Sequence, residues 1–372
     1  MIFEITYNEL QVPLAMIKEL LTDKEYKGDV KLVTFEVTKE QVSLLFDDDR
    51  LGIRFKYDFH EAEPELPGTA TCSFASFYEL VKAFKKSEEA ILIERDGASL
   101  RVDDGQYPEE LMALKADMVT NPHPQMETAV PYFSMDSDAL IDGIQLASTI
   151  LRKTDIPAGN IDTQAVYVGT GLGTVSFTSF SLHNFHRSIR PAMVSYDDRL
   201  ILLTKPVASA VAKIVVSGRK HILDWQIAEF PGDDFTSAGI LLQSEDAQAT
   251  FSFKLEPIDE EASIRTTFDT LEVNFKEAVK SATLTSVKDI SDIGKVKTDD
   301  NLVIKNGEFH LEPSGYPAQL VRKLWEKGAW RDEGKVFYID SGSHSAPVMC
   351  LYESVDGEEK ITSLSYRKAV SA

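Results

Sequence analysis

A strand-into-helix pattern recurs three times along the chain, and no other feature limits the fold so tightly. Phe3-Glu4-Ile5-Thr6 leads into Tyr7-Asn8-Glu9-Leu10 and an apolar run to Leu21. Phe133-Ser134-Met135-Asp136 leads into Ser137-Asp138-Ala139-Leu140 and a run to Leu151. Leu271-Glu272-Val273-Asn274 leads into Phe275-Lys276-Glu277-Ala278 and a run to Leu284. Each segment opens with an alternation of period two, as a strand does. Each then offers Thr6, Asp136 or Asn274 as a cap before helical spacing begins. The offsets of 130 and 138 residues exceed the roughly 20–50 residues of a solenoid unit, so whole domains are repeated.

A second helix is expected in each third: Phe74 to Lys86, Lys205 to Val216 and Pro317 to Trp330. Pro206 and Pro317 suit a first helical turn, where the missing N–H is not needed. The remaining segments alternate like strands, among them 42–46, 90–94, 164–168, 174–178 and 335–339. Asp96-Gly97, Gly171-Leu172-Gly173, Asn306-Gly307 and Asp356-Gly357 punctuate them as turns. Two helices and many antiparallel strands per third predict an α+β fold with helices on one face of a sheet. Boundaries are expected in the loop at 120–124 and the stretch 257–268, giving domains 1–124, 125–265 and 266–372.

Composition fits such a chain: 372 residues, 43% hydrophobic and 27% charged, are ordinary for globular domains. No run approaches the roughly 18 apolar residues of a membrane helix. The first residues, MIFEITYNEL, lack the basic region of a secretory signal. Cys72 and Cys350 fit two free thiols in a reducing cytoplasm, or one disulfide.

The net charge of −21 alone argues against nucleic acid, so the location of the positive charge decides the matter. The helix candidates 8–24, 74–86, 136–154, 205–220, 269–288 and 317–331 carry −1, +2, −1, +4, 0 and +3. Together they hold +7, which leaves −28 on the rest of the chain. Lys82, Lys85 and Lys86 share one helical face. Lys213 is followed by Arg219 and Lys220; Arg322, Lys323 and Lys327 cluster; Lys276 and Lys280 are four apart. Arg152 and Lys153 end the third helix, and Lys24 and Lys27 follow the first. These fifteen residues are the candidates for a phosphate-facing surface read without sequence preference. Solvated helix faces, with cations complementing helix C-termini, are the other account of them.

Three repeated α+β domains, an acidic chain and basic helices together resemble the bacterial DNA polymerase III beta subunit family, the DNA sliding clamps. The resemblance spans the whole chain. Asp47-Asp48-Asp49-Arg50-Leu51 follows a strand where the family commonly has Thr-Asp-Leu-Glu. The stretch Thr178 to Phe185 is similar to the family's Ala-Thr-Asp-Gly-His-Arg-Leu run, with His183 identical. Ile361 to Arg367 resembles the family's last strand without its Met-Pro-Met-Arg-Leu ending. Such divergence fits a distant or phage-encoded member. The resemblance implies three clamp domains per chain, each with two helices packed on antiparallel sheets. Two chains would close a homodimeric ring around double-stranded DNA, with helices lining the hole. It implies partners, namely DNA polymerase, the clamp loader and other proteins bearing a clamp-binding peptide. It implies no cofactor, no catalysis, no membrane and a cytoplasmic, nucleoid-associated place (the host cytoplasm for a phage-encoded chain). Carried over by position, His183, Phe185, Arg265, Leu364 and Tyr366 would edge the partner-peptide pocket.

Other constellations explain less. His183 and His186 form an H-x-x-H without a Glu or Cys companion at metal spacing, so no metal is expected there. Asp47-Asp48-Asp49 reads as a solvated turn ahead of a cation site. Gly169-Thr170-Gly171-Leu172-Gly173 reads as a hairpin turn, because no helix follows it. A hydrolase using acidic loop residues and an acidic scaffold without a DNA role are the competing functions. The first would need a deep pocket with shifted carboxylates, the second basic residues scattered outward.

Overall fold

The structure, a computed structural model, describes residues 1–21, 31–48, 53–84, 90–105, 108–113, 129–151, 165–181, 184–230, 239–246, 248–254, 258, 261–281, 283–286, 296–297, 300–305, 308–327, 335–339, 348–355 and 358–365. Of these, 48, 181, 254, 274–281, 283–286, 325–327, 335–339, 348–355, 358–359, 361, 363 and 365 are described by backbone alone.

In the first third β1 (Ile2–Thr6) runs into α1 (Tyr7–Leu21). There follow β2 (Leu32–Val37), β3 (Val42–Asp48), β4 (Ile53–Phe59), β5 (Glu63–Leu66), β6 (Gly68–Ser73), α2 (Phe74–Ala83), β7 (Ala90–Asp96), β8 (Ser99–Asp103) and β9 (Glu109–Met112). The second third repeats the order: β10 (Val130–Asp136), α3 (Ser137–Thr149), β11 (Ala165–Gly171), β12 (Thr174–Ser181), β13 (Asn184–Pro191), β14 (Met193–Val194), β15 (Leu200–Thr204), α4 (Lys205–Gly218), β16 (Asp224–Phe230), β17 (Gly239–Ser244) and β18 (Ala249–Lys254). The last comprises α5 (Glu261–Ser281), β19 (Thr283–Ser286), β20 (Asn301–Lys305), β21 (Glu308–Glu312), β22 (Tyr316–Pro317), α6 (Ala318–Lys327), β23 (Lys335–Ile339), β24 (Val348–Val355) and β25 (Glu358–Ser365).

The fold is α+β with antiparallel sheets, as expected. Local chemistry explains where helices start. The Thr6 hydroxyl accepts from the Glu9 amide, and Ser73 accepts from the Ser76 amide at the head of α2. One expectation fails. Leu271–Asn274 is not a strand but lies inside α5, and Asn274 is no cap. The apolar period reaches further upstream than the strand reading allowed: Ile264, Phe268 and Leu271 fall at i, i+4 and i+7 and pack together against a sheet. β19, which follows α5, instead lies beside β23.

Each third builds two half-sheets. One set runs β6-β2-β3-β4, β15-β11-β12-β13 and β22-β20-β21; the other runs β1-β7-β8-β9, β10-β16-β17-β18 and β19-β23-β24-β25. Two seams fuse strands from neighbouring thirds. Ile53–Tyr57 of β4 pair with Ala249–Phe253 of β18, and Asn184–Ile189 of β13 pair with Glu359–Leu364 of β25. The chain accordingly forms two compact units, each built around one seam: residues 1–138 with 210–255, and 139–209 with 256–372.

In the first unit the β4–β18 seam is cemented by Phe55 stacked on Phe251 at 4.3 Å, with Trp225 alongside. The Trp225 indole donates to the Ser137 hydroxyl, which donates to the Ile222 carbonyl, so no polar atom of that trio is stranded. α1 touches α4, because a Cβ on Gly218 would sit 2.4 Å from Met16 Cε. Cys72 is buried and carries a free thiol. Burial pushes its thiol up to about 12.

In the second unit the sheet spanning β15 to β19 is covered on both faces. One face carries α3 and α6, whose Leu146, Val321 and Leu324 surround Leu364 together with Ile150 just beyond α3. The other carries the first half of α5, whose Ile264 and Phe268 pack on Tyr167, Phe185 and Leu202.

Replacing Phe251 with Ala removes a fully buried ring from the first seam and should cost about 3–5 kcal/mol. Urea unfolding measures it, and a wild-type midpoint would deny the stack its role.

Candidate nucleic-acid interface and partner site

The helices place basic side chains in two groups. In the first unit α1 bridges its neighbours. Lys18 donates to the Tyr78 hydroxyl of α2 at 2.8 Å and lies 4.7 Å over that ring, while Met16 meets Gly218 of α4. This layer carries Lys82, exposed and only loosely held by Glu79 at 3.5 Å, and half-buried Lys213. Arg219 and Lys220 are exposed just beyond α4. An exposed Lys–Glu pair one turn apart contributes little, so Lys82 stays available to a phosphate. Lys18 was not singled out from the sequence. Its position in the last turn of α1, facing the α2 aromatic, was the available signal. The Tyr78 hydrogen bond raises its pKa further, keeping it charged.

In the second unit α6 presents Lys323 exposed and Arg322 half-buried beside the α3 contact. Lys276, Lys280 and Lys327 lie in helices at positions described by backbone alone. Lys24, Lys27, Lys85, Lys86, Arg152 and Lys153 lie outside the described residues.

Of the residues expected to edge a peptide pocket, Phe185 and Leu364 are not brought together. Phe185 and Leu364 sit on adjacent strands but on opposite faces of the sheet, in separate apolar clusters. Phe185 is buried beneath Ile264 and Phe268 of α5. The period of two explains this: Asn184, not Phe185, pairs with Leu364 and shares its face. His183 and Tyr366 lie outside the described residues. Arg265 projects from α5 to Asp198 at 2.8 Å and to Glu261 at 2.7 Å. Together with Arg187, Asp198, Asp269 and Thr178 it lines a cavity of about 270 Å³. Arg187 is tied to Glu272 of α5.

Under α3 the second seam is unusually polar. His186, Ser188, Arg190, Lys360 and Thr362 are all buried there. His186 Nδ1 and the Thr362 hydroxyl lie 2.7 Å apart, so this histidine bridges the seam. Burial, then Arg190 and Lys360, push its pKa down to about 3. Among the described residues no group of three His, Cys, Asp or Glu is placed to hold a metal ion. Gly171–Gly173 form the turn between β11 and β12, as expected of a hairpin.

Because His186 is neutral when folded and has a pKa near 6.5 unfolded, the unfolded chain binds the extra proton between those values. Stability should therefore fall as pH drops below about 6.5. His186→Asn, which keeps a hydrogen-bonding group near Nδ1, should flatten that fall. Equal acid slopes in urea unfolding of the two proteins would contradict the assignment.

No family model and no curated protein matches the sequence. Solved structures do. The DNA polymerase III subunit beta of Pseudomonas aeruginosa superposes with a TM-score of 0.68 at 14% identity, covering 99% of this chain and 100% of that one. The beta subunit from Thermotoga maritima gives 0.69 at 11%, covering 100% of both. A Pseudomonas aeruginosa sliding clamp bound to griselimycin gives 0.67 at 15%, covering 99% of each chain. Over its whole length, this chain has the fold of the DNA polymerase III beta subunit.

Proposed function

We propose that the chain is a DNA sliding clamp, a processivity factor that encircles duplex DNA and tethers a polymerase. The observation that carries this reading is the likeness to bacterial clamps over 99–100% of the chain. The internal order supports it. A three-domain division accords with the recurrence of paired helices and half-sheets, with the second boundary ahead of α5 (Glu261–Ser281) and not inside it at 265/266. Two copies would form the ring.

Helices whose cations balance their anions, in a chain of net charge −21, suit a lining that holds phosphates loosely, while the surplus of acidic residues elsewhere discourages DNA there. Such a lining moves along DNA because contacts to the backbone carry no sequence information. The role is binding rather than catalysis, without a cofactor. The remaining partners are the clamp loader and proteins presenting a short apolar-aromatic peptide, in the cytoplasm around the nucleoid. Among the described residues no helix is long and apolar enough to cross a membrane. The griselimycin-bound relative lends weight to a ligand site in this chain as well. Arg265, which lines a cavity of about 270 Å³ with Arg187 and Phe268, is the residue through which this reading is best tested.

Loaded protein should stay on circular DNA and leave once the circle is cut, because topology rather than affinity holds it. Changing Lys82, Lys213 and Lys323 together to Glu should shorten residence on the circle by about tenfold or more, with the melting temperature little changed. Equal retention on linear and circular DNA would refute the clamp. An unaltered residence time in the triple variant would remove these lysines from the lining.

A further inference from the structure

Four strands present one apolar-aromatic surface to α5. Tyr167 of β11 stands beside Leu202 of β15, and Phe180 of β12 beside Phe185 of β13, all on the same face of the sheet. α5 meets this surface with side chains one turn apart. Ile264 and Phe268 are buried against it, and Leu271 packs alongside. The Phe268 ring lies edge-on to Tyr167 at 5.2 Å and to Phe180 at 5.8 Å, while these two stack on each other at 5.9 Å. An amphipathic helix that lays apolar anchors into a groove is a recurring way for one protein to hold a peptide of another. Here the helix belongs to the same chain.

The seat is a light one. Thr266, Thr267 and Thr270 turn their hydroxyls back to the carbonyls four residues earlier, and residues of this kind weaken a helix interior. The first half of α5 therefore owes its helical form to the sheet beneath it. Its packing is incomplete, because beside Phe268 the groove continues as the cavity lined by Thr174, Ser176 and Thr178. Two ion pairs tie the helix down. Arg265 meets Asp198 at 2.8 Å, but that carboxylate is 87% exposed and water competes for it. Glu272 and Arg187 form the better shielded pair. Lifting the half-helix would bare Arg187 together with Tyr167, Phe180, Phe185 and Leu202.

We propose that the first half of α5 is the resident occupant of a peptide-docking groove, and that a partner's peptide enters by displacing it. The surface specifies the entrant. It carries an aliphatic side chain, an aromatic one a helical turn later, and a carboxylate a turn beyond that to take Arg187 from Glu272. Ile264, Phe268 and Glu272 have this spacing, at i, i+4 and i+8. The proposal rests on the clamp reading above, which calls for partners bearing apolar-aromatic peptides, and it gives their site a built-in competitor. Apparent affinity for a partner then scales with the fraction of chains in which α5 is lifted.

The probe is a fluorescein-labelled synthetic peptide of residues 261–273 carrying Arg265→Gln, which keeps both anchors and Glu272 but resists trypsin. Anisotropy titrations use the full chain. Phe268→Ala in the protein unseats α5 and should lower the dissociation constant for the probe about tenfold. Arg265→Ala, which frees only the link to Asp198, should lower it about threefold. Were α5 a fixed wall of the groove, loss of the Phe268 ring would weaken binding instead. Weaker or unchanged binding in Phe268→Ala, or no binding to any of the three proteins, overturns the proposal. The wild-type chain gives an independent reading. Saturating probe should speed tryptic cleavage after Arg265 about tenfold, because the helix must leave its seat to be cut. A cleavage rate indifferent to the probe overturns the proposal as well. Retention on circular DNA separates this claim from the clamp reading. A chain that stays on circles but fails these tests keeps the clamp and loses the competitor, and one that passes them without retention keeps the competitor and loses the clamp.

Discussion

Strand pairing across the thirds of the sequence is the constraint on which the rest of this structure depends. β4 meets β18, and β13 meets β25, across gaps of roughly two hundred residues. Backbone hydrogen bonds at such a seam are obligatory once the edges are buried, because an unpaired buried N–H or C=O costs as much as a lost hydrogen bond. Each seam then adds its own side-chain logic. The first is apolar, a Phe55–Phe251 stack flanked by Trp225. The second is polar, with His186 and Thr362 joined in a fully buried pair. These chemistries differ in what they tolerate: the apolar seam loses stability when volume is lost, the polar one when a proton arrives.

Helix placement follows from the seams. Once β4 and β18 lie side by side, α1 of the first third and α4 of the second come into contact, as Met16 and Gly218 record. Once β13 and β25 pair, α3 and α6 share the cluster around Leu364. In each unit, the first helix of one third meets the second helix of the next. Within their observed bounds the six helices hold ten Lys or Arg against ten Asp or Glu, whereas the chain as a whole is strongly acidic. A chain of net charge −21 can thus present positive charge to a polyanion, a point that total charge alone would have missed.

Much of this was legible in the sequence. The first two strand–helix openings were readable because Phe3–Leu21 and Phe133–Leu151 switch cleanly from period two to helical spacing. The third opening misled, because Leu271–Asn274 alternates like a strand while Ile264, Phe268 and Leu271 also satisfy a helix face. Packing on Tyr167 and Phe185, invisible in a local window, decided between them. Lys82, Lys213, Arg322 and Lys323 fall on helices at the places the sequence expected, whereas Lys18 went unmarked because its contact is with Tyr78 sixty residues away. The pocket carried over by resemblance did not assemble from Phe185 and Leu364, because a single step of register sends neighbouring strand residues to opposite faces. The seams themselves left no signature in the sequence, since pairing between remote strands is set by the whole sheet.

The central claim is that this fold closes around DNA, and an image tests it most directly. Electron microscopy of the full chain, at an ionic strength where it self-associates, should reveal a two-chain ring with a central hole wide enough for a duplex and the helices on its inner wall. A closed particle without a hole, or a ring whose inner wall is formed by the sheets, would contradict the account.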